Sequence, residues 1–308
     1  MSDFHHITVL KQELVDMVFN RPDGIYIDMT LGGGGHTEEL LMRSEELRVI
    51  GIDQDETAIA AATQRLAPYG ERFTAVKGNF RDIKALVGGQ AISGIMADLG
   101  VSSPQLDNKE RGFSFMKEAY LDMRMDQSAP KTAYDVVNTY TEKELVDILF
   151  TYGEERYSKR VVSAILRCRA EKPIETTTEL AKIVAAAIPG SSKWQGIHPA
   201  TRTFQAIRIE VNDELGALKQ AVYDGFDLLE SGGRMAFISF HSLEERIVKQ
   251  AFVDFSTGCT CPKEFPVCVC GRKPRGSKVT KKPVCPESDE QTTNPRARSA
   301  KLRGIIKN

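Results

Sequence analysis

The chain has 308 residues, a formal net charge of −1 at pH 7, 41% hydrophobic residues and 27% charged residues. These values are typical of a globular protein with one large domain or two smaller ones. No apolar run approaches the roughly 18 residues that span a bilayer, and the N-terminal stretch lacks the basic segment and apolar core of a secretory signal, so we expect a cytoplasmic protein.

The first predicted element is an apolar strand that ends at Asp28 and leads into four consecutive glycines, Gly32–Gly35, and then into a helix. A strand that ends in a glycine loop and opens a helix is the first turn of a nucleotide-binding α/β domain. Glycine lets a ligand approach the backbone because no Cβ stands in the way. The third glycine of a dinucleotide fingerprint is missing, since Thr37 or Glu38 occupies its place.

The residue types around the glycines indicate a cationic ligand. Asp28 precedes the loop, where an acid suits a positive group better than a phosphate. The pattern Asp28-x-Thr30-x-Gly32-x-Gly34 resembles motif I of S-adenosylmethionine (SAM) methyltransferases, whose cofactor carries a sulfonium and an ammonium. A glycine-rich surface turn without a ligand is the alternative, and it would be costly directly after a buried strand.

Three further strands are predicted in chain order at 48–53, 73–77 and 92–98, with an alanine-rich helix at 57–66. This alternation predicts a parallel, doubly wound, Rossmann-like α/β sheet. Ligands lie at the carboxyl ends of such strands. We therefore expect four polar strand-end residues to converge there: Asp28, Asp53, Asn79 and Asp98. Asp53 follows the glycine loop by about 20 residues, as expected for an acid that holds ribose hydroxyls.

The middle of the chain changes to helical periodicity. Helices are predicted at 141–152, 154–170 and 178–188, with capping boxes at the starts of the first and third. A helix at 212–229 and a fifth strand at 233–240 then resume the α/β pattern.

The sequence thus predicts an all-helical domain inserted into the α/β domain. We place the insertion at 106–208 and the discontinuous α/β domain at 1–105 and 209–308. An insertion after the fourth strand would overhang the active site as a substrate lid.

Four of the six cysteines form two close pairs, Cys259-Thr-Cys261 and Cys268-Val-Cys270. Disulfides are not expected in a cytosolic chain, whereas four thiolates could bind one zinc ion. Four protein ligands leave no open position, so such a site would be structural rather than catalytic. Four reduced thiols in a loop remain the alternative, because the spacing is tighter than the usual C-x₂-C knuckle.

The C-terminal region is basic although the whole chain is nearly neutral. From Cys259 to Asn308 there are 12 Lys and Arg against 4 Asp and Glu, a net charge of +8. The segment 294–307 mixes basic and apolar residues and predicts an edge strand with an exposed basic face. Local positive charge of this kind favours the binding of nucleic acid, and a solvated basic tail without a partner is the alternative. The best phosphate-binding candidates are Arg296, Arg298, Lys301 and Arg303.

Several long motifs resemble those of the MraW (RsmH) family, which are SAM-dependent enzymes that methylate the N4 of a cytidine at the decoding centre of bacterial 16S ribosomal RNA. The motifs are Asp98–Asp107, Arg111–Phe115, Leu121–Asp126, Tyr152–Arg156, His198–Gln205, Ile238–Glu244 and Asn294–Ala300. The resemblance implies a class I SAM methyltransferase fold, an inserted helical domain and 16S ribosomal RNA as partner. It leaves open whether the acceptor is naked RNA or an assembled small subunit.

The resemblance also implies a set of residues that contact SAM. Carried over onto matching positions, they are Gly34, Gly35, His36, Asp53, Phe80, Asp98 and Gln105. The cysteine loop is less general in the family, so the resemblance does not settle whether this loop binds metal.

The target cytosine amine is a poor nucleophile, because its lone pair is delocalised into the ring, and a group that accepts a hydrogen bond from the amine shifts electron density back to nitrogen. Many amino-methyltransferases supply this acceptor from a D/N/S-P-P-Y/F motif after the fourth strand. Here the segment Asp98–Gln105 has one proline and no adjacent aromatic residue. Asp98 is therefore a candidate acceptor for either the target amine or the SAM amino group. Phe113 and Phe115 are predicted either to stack on a splayed base or to pack inside the insertion, and His241 is interpreted as structural.

Three other functions stay open on the sequence. They are an NAD-dependent oxidoreductase, a SAM-binding regulator without catalysis, and an amino-methyltransferase that acts on DNA or another RNA. The irregular glycine spacing argues against the first.

Overall fold

A computed structural model describes residues 8–190, 196, 198–262 and 264–308. The chain divides into two compact units. One comprises the chain up to Gly100 together with Leu215–Asn308, and the other comprises Val101–Glu214. Among the described helices, none is long and apolar enough to cross a membrane.

The first unit is built on one seven-stranded sheet. Its strands are β1 Ile25–Asp28, β2 Arg48–Asp53, β3 Phe73–Lys77, β4 Ile92–Asp98, β5 Leu229–Ser239, β6 Gly276–Lys278 and β7 Lys301–Lys307. The strand order is β3-β2-β1-β4-β5-β7-β6. The pairs among β1 to β5 are parallel, and β7 is antiparallel to both β5 and β6. The predicted parallel α/β fold is confirmed, and β2, β3 and β4 begin and end at the predicted residues.

Helices lie between the strands in chain order. They are α1 Lys11–Val18, α2 Gly35–Leu41, α3 Glu56–Leu66, α4 Ile83–Val87, α5 Ser103–Asp107, α6 Ala133–Thr139, α7 Glu142–Thr151, α8 Ser158–Glu171, α9 Thr177–Ala187, α10 Thr201–Asn212, α11 Glu214–Leu228, α12 Ser242–Ser256 and α13 Ser288–Thr293. In the first unit, the apolar residues of β4, β5, α11 and α12 form one core around Phe226, Phe237 and Phe252. This burial of apolar side chains on the sheet faces holds the strand ends in place.

The second unit, Val101–Glu214, contains the helices α5 to α10 and starts before the predicted residue 106. The expected capping boxes are present, because Thr141 accepts from the backbone of Glu144 and Thr176 accepts from the backbone of Glu179. The unit ends at Glu214 rather than at the predicted residue 208. The reason is local: α10 continues without a break to Asn212 and stops where Asp213 takes a left-handed conformation, with φ 47°.

The C-terminal strand differs from the prediction. The sequence predicts an edge strand, but β7 lies between β5 and β6 and pairs with both. Leu302 and Ile305 are completely buried, so both faces and both edges of the strand are used for packing. The edge of the sheet is instead the short strand β6.

We predict that Gly94→Ala destabilises the first unit. Gly94 lies in β4 between β1 and β5, and an added Cβ would lie 2.6 Å from both Tyr26 Cδ1 and Val18 Cγ1. Both neighbours are completely buried, so relieving the overlap should cost about 1–3 kcal/mol. Denaturant unfolding measures the change in the free energy of unfolding.

Gly89→Ala is the matched control, because nothing lies within 4 Å of its Cβ position. It should leave the free energy of unfolding within about 0.5 kcal/mol of the parent value. Equal stability of the two variants would contradict the close packing around β4.

Candidate cofactor-binding site

The glycine loop between β1 and α2 is shaped by conformations that other residues avoid. Gly32 and Gly34 have φ values of 49° and 77°. A Cβ on Gly34 would lie 3.0 Å from Leu66 Cδ1, and one on Gly35 would lie 2.2 Å from Thr8 Oγ1. The loop therefore requires glycine for its turn and for its packing. Because glycine has no side chain, the glycines do not cover the loop backbone.

Asp28, at the end of β1, fixes the loop to the following helix. Its Oδ1 accepts a hydrogen bond from the backbone N–H of Thr30 at 3.1 Å, and its Oδ2 accepts from Thr37 Oγ1 at 2.8 Å. Burial raises the pKa of the Asp28 carboxyl to about 6. The sequence interpretation pairs Asp28 with a cationic ligand, whereas in the structure both of its oxygens are bonded within the loop.

Asp53, at the end of β2, holds the loop from the other side. Its Oδ2 accepts from the backbone N–H of Gly32 at 2.8 Å, and its Oδ1 accepts from the backbone N–H of Asp55 at 2.9 Å. Burial raises the pKa of Asp53 above its ordinary value. Each carboxylate oxygen has a second lone pair, so Asp53 can still accept from a ligand next to the glycine loop.

Asp98, at the end of β4, has the least satisfied polar group of the site. Its backbone N–H donates to Thr30 Oγ1 at 2.6 Å, which ties β4 to the β1 loop. Among the described residues, none donates a hydrogen bond to its buried Oδ1. Burial, followed by the charges of Asp28, Glu244 and Glu290, raises the pKa of Asp98 well above its ordinary value. A buried acceptor left unpaired costs about 1–3 kcal/mol, so a ligand that donates to Asp98 Oδ1 recovers this free energy.

Two of the acids around Asp98 come from distant parts of the chain. Glu244 Oε2 accepts from the backbone N–H of Phe240 at 2.9 Å and belongs to the capping box that His241 forms at the start of α12. Glu290 Oε1 accepts from the backbone N–H of Leu10 at 2.8 Å. No local motif joins either acid to the fourth strand, so the sequence does not predict them as site residues.

The remaining first-unit candidates follow β3 or the glycine loop along the chain. Asn79 Oδ1 accepts from the backbone N–H of Arg81 at 3.0 Å and caps a short 3₁₀ helix that starts at Phe80. Phe80 is half-buried against the core of the sheet. His36 is buried, and its Nε2 donates to the carbonyl of Val9 at 2.9 Å. His36 thus joins α2 to the segment before α1.

Gln105 lies in the second unit, in α5. Its Oε1 accepts from the backbone N–H of Ser102 at 3.0 Å, and its own N–H donates to Ser102 Oγ at 3.4 Å. These bonds form a capping box. The contact of Gln105 with SAM stays a prediction.

The aromatic candidates of the insertion are packing residues. Phe113 belongs to the buried core of the second unit. The ring of Phe115 lies 4.6 Å from the ring of His198 and 4.8 Å from that of Phe204. Phe113 is only 7% exposed, which favours the predicted packing inside the insertion, and base stacking stays a prediction.

The basic C-terminal candidates divide into two groups. Lys301 Nζ and Arg303 Nη2 pair with the two carboxylate oxygens of Glu245, at 2.6 and 2.8 Å. Arg296 and Arg298 are exposed. The first two charges are therefore partly neutralised within the protein, which the spacing of the sequence could not reveal.

The four cysteines of the two close sequence pairs, Cys259, Cys261, Cys268 and Cys270, lie together in the loop between α12 and β6. Their Sγ atoms are all within 4.8 Å of one another. Cys168 is half-buried and packs against the core of the second unit, and Cys285 is exposed.

Comparison with known proteins identifies the family. The MraW methylase family matches residues 3–308. A protein from Geobacter sp. (strain M21) named ribosomal RNA small subunit methyltransferase H is 53% identical over 312 residues, which cover 100% of both chains. Proteins of the same name from Brevibacillus brevis and Symbiobacterium thermophilum are each 51% identical, over 97% and 99% of this chain and 97% of theirs. The resemblance inferred from the motifs is confirmed, and the chain belongs to the MraW methylase family.

Proposed function

We propose that the protein transfers a methyl group from SAM to the exocyclic N4 of a cytidine in the decoding region of bacterial 16S ribosomal RNA. The family and the names of its relatives support this substrate. The structural observation that carries the proposal is the unpaired, buried Oδ1 of Asp98 at the end of β4. An amino-methyltransferase acting on DNA or another RNA is the alternative.

The charges around Asp98 favour a cation as its ligand. Three carboxylates, those of Asp28, Glu244 and Glu290, disfavour a further negative charge on it. A positive ligand group reverses this effect, since two unit charges about 4 Å apart interact by about 4 kcal/mol at an effective dielectric constant of about 20. A neutral cytosine amine would gain only a hydrogen bond of about 1 kcal/mol. We therefore assign Asp98 to the ammonium group of SAM.

The other strand ends suit the remaining parts of the cofactor. The free lone pairs of Asp53 accept from the ribose hydroxyls, and Phe80 flanks the adenine ring. Gly34 and Gly35 bring the backbone close to SAM, since no side chain intervenes. His36 holds this loop in place through its bond to Val9.

The reaction then requires alignment more than acid–base chemistry. The N4 lone pair attacks the methyl carbon, the bond from that carbon to sulfur breaks, and S-adenosylhomocysteine leaves. The methylated nitrogen loses its proton to water. Because the methylated nitrogen can give its proton to water, no general base is required, and holding sulfur, carbon and nitrogen in line supplies most of the rate acceleration.

A basic depression on the first unit offers a place for RNA phosphates. It has a volume of about 50 Å³ and is lined by four basic side chains: Lys249, Lys278, Lys281 and Arg303. The three lysines are exposed. Concave basic surfaces attract the phosphate backbone without reading its sequence.

The function is tested by methyl transfer to 16S ribosomal RNA from a strain that lacks this protein. Naked RNA and assembled small subunits are both offered as acceptors, and the modified nucleoside is identified by its mass. N4-methylated cytidine in either acceptor supports the proposal. Methylation of duplex DNA alone favours the alternative, and no S-adenosylhomocysteine with any acceptor indicates a regulator.

We predict that Asp53→Ala weakens SAM binding by about 1–3 kcal/mol, or roughly 5- to 150-fold. The change removes the acceptor for the ribose and also releases the N–H of Gly32. Calorimetric titration with SAM measures the effect. Glu56→Ala, three residues further on and exposed, should bind SAM like the parent protein, and an unchanged affinity in Asp53→Ala would remove Asp53 from the site.

We predict that SAM binding tightens as the pH rises towards the raised pKa of Asp98, and that binding releases protons. The pKa of Asp98 is raised in the free protein, and the ammonium of SAM lowers it, because the cation favours the ionised carboxylate. Affinity therefore rises as pH rises through the free-protein pKa. Calorimetric titration with SAM in buffers of different ionisation enthalpy measures the number of protons released, from the change of the apparent binding enthalpy with the buffer.

Asp98→Asn should bind SAM more weakly and release fewer protons than the parent. Asp28→Asn is the comparison, because Asp28 also has a raised pKa but both of its oxygens are bonded inside the loop. If Asp98→Asn binds SAM normally but fails in methyl transfer, Asp98 belongs to the target amine instead.

We predict that Lys278→Ala together with Lys281→Ala weakens RNA binding and flattens its salt dependence. Losing two phosphate contacts should reduce the log–log slope by about 1.5. SAM affinity should not change. Lys219→Ala, on the exposed face of α11, should leave the slope unchanged, and an equal slope in all three proteins would place the RNA elsewhere.

A further inference from the structure

The cysteine loop between α12 and β6 has the geometry of a metal site. Cys259 Sγ lies 3.7 Å from Cys270 Sγ, which lies 3.6 Å from Cys268 Sγ. All four sulfurs, including that of Cys261, are within 4.8 Å of one another. Zinc–thiolate bonds of about 2.3 Å in a tetrahedron separate the sulfurs by about 3.8 Å. We propose that Cys259, Cys261, Cys268 and Cys270 bind one structural zinc ion.

The loop has no core of its own that could order it. Among the described residues from Thr257 to Arg275, none is buried. Its apolar side chains point to solvent, with Val267 and Val269 exposed by 71% and 73%. Fixing a backbone costs about 1–2 kcal/mol per residue, and apolar burial does not offset that cost here. A metal ion that cross-links the loop would supply the missing stabilisation, since metal binding then contributes to folding.

The two ends of the loop are held independently of the sulfurs. The backbone N–H of Arg275 donates to the carbonyl of Phe255 at 2.7 Å, and Arg272 Nη2 donates to the carbonyl of Asp254 at 2.8 Å. The sulfur-bearing part therefore projects from a fixed base. Losing the metal should loosen the loop without unfolding the sheet behind it.

Backbone donors around the sulfurs complete the site. The N–H of Cys261 donates to Cys259 Sγ at 3.4 Å, and the backbone groups of Thr260 and Arg272 donate to Cys270. Such outer hydrogen bonds orient metal ligands and offset their negative charge.

The four thiolate ligands determine which metal ion the loop binds and what that ion does. Four thiolates at the corners of a tetrahedron select zinc or iron among the common metals. The cysteines leave no position for a substrate or water, so the ion holds the fold and does not activate a reactant. The site is also independent of the proposed methyl transfer, because its residues follow α12 rather than the carboxyl ends of β1, β2 and β4.

The test is elemental analysis of the full-length protein, purified under reducing conditions without chelators or a metal-affinity tag. We expect about one zinc ion per chain, and loss of most of it in Cys261→Ser and in Cys268→Ser. Cys285→Ser is the matched control, since this exposed cysteine lies outside the cluster, and it should keep the full zinc content. Less than about a tenth of an equivalent after reconstitution with zinc, or iron in its place, would overturn the proposal.

A second measurement separates loss of metal from misfolding. Cobalt(II) added to the metal-free protein should give the intense visible bands of a tetrahedral thiolate site, and zinc should abolish them. SAM titration of Cys261→Ser and Cys268→Ser then checks that the first unit is folded. Octahedral cobalt spectra in the parent protein, or identical spectra in the parent and in Cys261→Ser, would also overturn the site.

Discussion

The candidate site depends on hydrogen bonds that tie the glycine loop to two neighbouring strand ends. The Gly32 N–H is held by Asp53 of β2, and the Thr30 hydroxyl accepts from the backbone of Asp98 on β4. Since β1 lies between β2 and β4, the loop after β1 is bonded from both sides. A parallel sheet brings these ends to one edge, and the side-chain hydrogen bonds then hold the loop against both strand ends.

This arrangement brings together three acids whose ionised forms are disfavoured in the protein alone. Burial and neighbouring acids raise the pKa values of Asp28, Asp53 and Asp98. Asp28 and Asp53 recover part of the cost through backbone and hydroxyl donors, but Asp98 Oδ1 has none among the described residues. The acidic edge is thus destabilising until a cation arrives. In the proposed assignment of Asp98 to the SAM ammonium, the cofactor stabilises the ionised carboxylate and gains affinity from it.

The sequence predicted those features that depend on neighbours in the chain. The limits of β2, β3 and β4 follow from short apolar runs, and the capping boxes at Thr141 and Thr176 follow from a three-residue spacing. Contacts between residues far apart in the chain could not be predicted from the sequence. Glu290 reaches the N-terminal segment at Leu10, and β7 enters the sheet between β5 and β6 because its apolar face completes the core, not because of its basic residues.

The glycine loop and the cysteine loop of the first unit are stabilised in different ways. The glycine loop rests on the packed sheet, so its geometry follows from burial of β1, β4 and their neighbours. The cysteine loop has no such support and exposes Phe265 and the valines beside its thiols. A segment without a core is ordered only by bonds that it makes itself, and the sulfurs are the groups that converge. Metal binding and cofactor binding should therefore be separable, because the first acts on a loop whose base is already fixed by Phe255 and the second on strand ends fixed by the sheet.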